Sequence, residues 1–194
     1  MKKTAILTAI SVATLMMVAS QANAQARTPG LTSTSPNMPV TGNVPILCSV
    51  GILSGQGSFP LGNLIDNATG KMRQGLSAPD QTITGSWCNA PSTVSISATQ
   101  LAAQTFTATP PAGFSRTLNY TATASGFSTA PASFTTGSTS NTLATRSVTG
   151  PITAPIIVAV SNVTPVGTDP FLVADTSYLG IVTVTLAVQA ISGT

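Results

Sequence analysis

The chain has 194 residues, of which 42% are hydrophobic and only 6% charged: seven Lys and Arg, four Asp, no Glu and no His. That inventory lacks the tuned carboxylate and imidazole pairs on which general acid–base catalysis usually rests. It also lacks the ligands that would complete a metal site around two thiolates.

The chain opens with a basic Met1-Lys2-Lys3, an apolar run from Ala5 to Ala19 and a small-residue site at Ala22-Asn23-Ala24. This is the pattern of an export leader, residues 1–24, cut before Gln25 or two residues later. A retained anchor is disfavoured because the apolar run is short for a span and no basic cluster follows it. No membrane span is expected after cleavage. Lys2 and Lys3 leave with the leader, so Arg27, Lys71, Arg73, Arg116 and Arg146 face Asp66, Asp80, Asp169 and Asp175, a net charge of +1. Such a balance gives no reason to expect nucleic acid or anionic lipid as a partner. About 170 remaining residues fit one domain, and their apolar content favours a packed fold over a disordered tether.

Residues 25–43 form an extension rich in Pro, Ser and Thr. Even so, Met38, Val40, Val44 and Ile46 fall on alternate positions, the spacing of one strand face. Pro39 and Pro45 would be poorly tolerated inside an ordinary central strand. Beyond residue 44 almost every apolar stretch has period two between turn signals. The expected strands are 44–50, 57–64, 81–89, 93–98, 104–109, 117–124, 132–135, 146–149, 156–162 and 179–190, with one helical turn at most in 97–104. Many short strands at close spacing indicate a sandwich or barrel. Scarce aromatic residues and short strands argue against an outer-membrane barrel, so the expected fold is an all-β antiparallel sandwich spanning residues 44–194. The last strand is the most regular: Val182, Val184, Leu186 and Val188 share one face, Ile181, Thr183, Thr185 and Ala187 the other. The apolar face should turn inward.

Both cysteines, Cys48 and Cys88, belong to the exported part, which favours one disulfide. A search for catalytic chemistry finds nothing: the serines lack a base, and Lys71 sits in a Gly-Lys-Met-Arg turn without the spacing of a phosphate loop. Neither an enzyme nor a cofactor is expected. Trp87, beside Cys88, is read as packing on the core, with sugar stacking as the competing role.

Leu47-Cys48-Ser49-Val50, residues 81–88 and residues 175–188 carry a resemblance. A leader, about 23 residues before the first cysteine, a second cysteine 40 residues on and a C-terminal Thr/Val strand preceded by Tyr178 resemble pilin subunits of chaperone–usher pathways, including the spore-coat-U-like branch. The resemblance implies an immunoglobulin-like sandwich lacking one strand, completed first by a periplasmic chaperone and then, at an outer-membrane usher, by the extension of a neighbouring pilin subunit. It implies that Met38, Val40, Gly42 and Val44 are the donated residues and that Val182, Val184, Leu186 and Val188 line the receiving groove. The product would be a secreted cell-surface fibre serving adhesion or biofilm formation. The alternative is a carbohydrate- or surface-binding β-sandwich that does not polymerise.

Overall fold

Alternation in this chain produces strands and, among the described residues, no helix. The structure, a computed structural model, describes residues 37–168 and 171–189. The leader expected at 1–24 lies outside them. The chain divides into two units, Met1–Gly42 and Asn43–Thr194. In the first, residues 37–42 are exposed and carry no regular structure.

The second unit contains, in chain order, Cys48–Ser49 (β1), Ile52–Ser54 (β2), Gln81–Thr84 (β3), Trp87–Cys88 (β4), Ser92–Ala98 (β5) and Leu101–Ala103 (β6). These are followed by Phe114–Ser115 (β7), Thr117–Ser125 (β8), Ala132–Thr135 (β9), Thr145–Val148 (β10), Ile152–Thr153 (β11), Ile156–Pro165 (β12), Phe171–Leu172 (β13), Tyr178–Leu179 (β14) and Val182–Val188 (β15). The largest sheet runs β14-β6-β8-β12-β3-β2, with β9 also on β8, and curls into a half-barrel. A second sheet runs β10-β5-β15, and a small third one β1-β4-β11. Pairing is antiparallel in all three, while β7 and β13 form a short parallel pair.

The core lies where the inward rows of the first two sheets meet. Leu118, Tyr120, Ala122 and Ala124 alternate inward along β8, Ile156, Val158 and Val160 along β12, and Val94 and Ile96 along β5; all are buried in one cluster. Burying each large aliphatic side chain stabilises the fold by about 1.5–3 kcal/mol.

Three neighbouring strands change sheet at one level, separating the small sheet from the half-barrel. β1 gives way to β2 at Val50-Gly51, β3 to β4 at Gly85-Ser86, and β11 to β12 at Ala154-Pro155. Gly51 is required there: its φ is +87°, and a Cβ would collide with the Thr84 carbonyl and lie 2.8 Å from Ser86 N. The fully buried Ser86 hydroxyl donates to Val50 O, and Ala154 N donates to Ser86 O at 3.2 Å, so the bend leaves few polar groups orphaned.

Several expected strands are corrected. The stretch 44–50 yields only Cys48–Ser49, because Pro45 offers no N–H and the backbone of Leu47 is bound by Asn89 instead. Residues 57–64 form no strand; Gly57 and Gly62 adopt φ of +65° and +69°, which turns the chain out of the extended path, and Pro60 cannot donate. Residues 104–109 also form no strand: Gln104 N still donates to Ser177 O at 3.0 Å, but the Asp175 carboxylate takes the N–H groups of Thr105 and Phe106. The helical turn expected in 97–104 is replaced by β6, which pairs with β8 and β14. Strand 81–89 breaks at Gly85, and 179–190 breaks at Gly180.

Candidate functional site

The last strands end in two different sheets. Tyr178 and Leu179 pair with Ala103 and Ala102 in the half-barrel, and three residues later Val182 pairs with Ala98 in the opposite sheet. Gly180 makes the crossing: a Cβ there would stand 3.1 Å from both Thr99 O and the Tyr120 hydroxyl. The Thr99 side chain accepts from Ile181 N at 2.9 Å, and Thr99 N donates to Ile181 O at the same distance, which fixes where β15 begins.

From that point β15 runs seven residues along β5, in register from Val182↔Ala98 to Val188↔Ser92. It is the terminal strand of its sheet, and its other edge is unpaired among the described residues. At the far end of the half-barrel, β2 likewise pairs on one side only, with β3. Leu53 of β2 and Val182 and Val184 of β15 line a single cavity of about 140 Å³ together with Phe59, Ile83 and Val158, and Gln81 is the one long polar side chain in its lining. Two open sheet edges therefore flank one apolar slot. Isolated edges of this kind present rows of unsatisfied N–H and C=O groups that pair readily with another chain.

The slot continues into larger spaces. A cavity of about 440 Å³ shares Gly57, Phe59 and Val182 with it, and a third, of about 590 Å³, shares Phe59, Leu61, Leu101 and Tyr178 with the second. The sequence-predicted row on β15 borders this groove unevenly. Val182 and Val184 line it; Leu186, half-buried against the core, and Val188, 44% exposed, line none of the three cavities. Of the residues expected to be donated, Met38 is 85%, Val40 100% and Val44 79% exposed, and nothing lies within 4 Å of a Cβ built on Gly42.

Polar groups around the groove have structural roles. The Tyr120 hydroxyl reaches Ile181 O at 3.5 Å, and burial raises its pKa above the usual phenol value. Tyr178 donates to Val173 O at 2.7 Å; burial, and then the charge of Asp175, push its pKa up too. The Asp175 carboxylate accepts from the backbone N–H of Ser177, Phe106 and Thr105 at 2.8–2.9 Å, which holds its pKa well below the usual carboxylate range. Among the described residues, no group of three His, Cys, Asp or Glu is placed to hold a metal ion.

Cys48 and Cys88 are bonded, as directly paired residues of β1 and β4 with Cα atoms 4.2 Å apart. Trp87 is half-buried beside them. The disulfide lies near the start of the domain, where Asn89 adds a second tie: its amide donates to Pro45 O at 2.8 Å and accepts from Leu47 N at 2.7 Å.

Sequence reasoning missed Leu53, Phe59 and Leu61 as groove residues, and Asn89 as an anchor. Ile52-Leu53 between Gly51 and Gly55 was a readable signal for a short strand. Nothing local marked Asn89. Comparison with protein-family models, with curated proteins and with solved structures found no match.

Proposed function

We propose that this chain is a structural subunit of a bacterial surface fibre, assembled by strand donation between copies. In this reading the domain is an immunoglobulin-like sandwich short of one strand, and the extension of a second copy supplies it. One observation carries the proposal: β15 and β2, each with one edge unpaired among the described residues, flank a mostly apolar slot bordered by Leu53, Val182 and Val184. A groove with main-chain hydrogen-bonding groups on its rims and alternate apolar pockets in its floor suits an extended strand with alternate apolar side chains.

The extension has that pattern. Met38, Val40 and Val44 share one face and are all strongly exposed in the single chain. Burying those three side chains in a neighbour's slot would contribute roughly 5–8 kcal/mol, to be set against the cost of ordering and association. Gly42, on the same face, suits a shallow point of the groove. Pro39 points the other way in the alternation, and its missing N–H deletes one ladder hydrogen bond at one of the two rims.

The route implied is export through the periplasm, cover of the groove by a chaperone, and hand-over at an outer-membrane usher, with adhesion or biofilm formation as the outcome. This reading assigns no catalytic role and no cofactor. The test is the assembly state of the purified mature protein. Polymers that resist sodium dodecyl sulfate and fall apart only on heating support it; a stable monomer at all concentrations overturns it.

A further inference from the structure

The segment between β2 and the Ile65–Met72 bridge lies at the mouth of the groove without being built into either sheet. Among the described residues, no backbone-to-backbone hydrogen bond involves residues 55–63, and the only hydrogen bond to their backbone is from the Arg73 guanidinium to Asn63 O at 3.3 Å. The first backbone-to-backbone tie is at Leu64, whose carbonyl accepts from Arg73 N at 2.9 Å. What holds the segment is apolar contact: Phe59 and Leu61 are half-buried against the core cluster. Phe59 borders all three cavities, including the slot it shares with Leu53, Val182 and Val184. Glycines with positive φ punctuate it, Gly55 at +113°, Gly57 at +65° and Gly62 at +69°. Gly62 has open space around it.

Over residues 55–62 these features combine an apolar cover with a backbone that loses no hydrogen bonds within the described residues when it lifts, hinged where Asn63 and Leu64 are tied to Arg73. We propose that residues 55–62 are a strap that covers the groove in the unassembled subunit through Phe59 and Leu61 and is displaced when a donor strand enters. The inference rests on the strand-donation reading and adds a step to it. The strap shields apolar surface that would otherwise promote indiscriminate edge pairing, and it lowers the fraction of subunits ready to accept a strand at any moment. An accepting state that is only partly populated weakens and slows capture in proportion. Pro60, between the two apolar anchors, restricts the strap's own backbone and keeps it from pairing as a permanent strand.

The test uses the full mature chain carrying Val40→Asp, which removes self-donation, together with a synthetic peptide of residues 28–46 carrying the native Val40. Two quantities are followed: association of the labelled peptide, and chymotrypsin cleavage after Leu61 in the strap. The expected result is that bound peptide raises cleavage after Leu61 by about tenfold, because proteolysis tracks the population of the open segment. Adding Phe59→Ala should speed peptide association several-fold. Peptide binding with cleavage unchanged or reduced overturns the strap while leaving strand donation standing. Absence of peptide binding to both the Val40→Asp chain and its Phe59→Ala derivative overturns strand donation, and the strap with it. If Phe59→Ala fails to fold, the cleavage measurement on the Val40→Asp chain decides alone.

Discussion

Asn89 and Leu47 are joined at both ends of one residue: the Asn89 side-chain oxygen accepts from Leu47 N at 2.7 Å, and Asn89 N donates to Leu47 O at 3.1 Å. Together with the adjacent disulfide, this pair fixes where the ordered domain begins. Asn89→Ala should destabilise the domain by about 1–2 kcal/mol, the value of a few exposed hydrogen bonds. Urea unfolding would show it as a lower midpoint with an unchanged slope. Asn89→Asp should retain the bond from Leu47 N but lose the one to Pro45 O.

The Cys48–Cys88 bond closes a loop with a sequence separation of 40. Titration of the unfolded, unreduced protein should find no free thiol. Cys88→Ser should lower stability by about 2–5 kcal/mol, since Cys88 is only 2% exposed and the loop is released in the unfolded chain. Two thiols per chain would contradict the bonded pair.

Gly51 bears the bend at which β1 leaves β2. Gly51→Ala should cost about 2–4 kcal/mol, from a left-handed φ and collision with the neighbouring strand's backbone. In a domain of this size that is a fall of roughly 10 °C in melting temperature. Gly42→Ala, in open space, should leave the melting temperature unchanged.

Val40 is fully exposed in the single chain. Val40→Asp should therefore leave monomer stability within about 0.5 kcal/mol of the parent; under the proposed strand donation it should also stop polymerisation, because an unpaired carboxylate in an apolar groove costs several kcal/mol. Deleting residues 28–40 should act in the same way. If the truncated chain unfolds instead, the segment is the domain's own strand.

Asp175 gives a pH dependence with a definite sign. Its carboxylate pKa is lower in the fold than in the unfolded chain, so its stabilisation is complete above the ordinary Asp range near about pH 4. It is lost as pH falls through that range toward the folded value. Asp175→Asn should lower the urea midpoint at around pH 6, and parent and variant should converge towards about pH 2. An equal difference at both pH values would show that the contribution is not from charge.

The sequence by itself determined the all-β class, the pairing of its two cysteines and the inward face of β15, because strand alternation and a compartment-driven disulfide are written locally. It could also show that Met38, Val40 and Val44 share a face. It could not show that residues 57–64 form no strand, since Phe59, Leu61 and Leu64 look like strand residues until backbone torsions at Gly57 and Gly62 are known. Only the tertiary structure decided which strands stand at sheet edges. Edge position depends on which distant segments pair: β5 takes β10 and β15, and β3 takes β12 and β2. No residue of β15 or β2 carries a local mark of being last in its sheet. The groove between Leu53 and Val184 exists because those two strands, about 130 residues apart, end facing one cavity with no strand between them among the described residues.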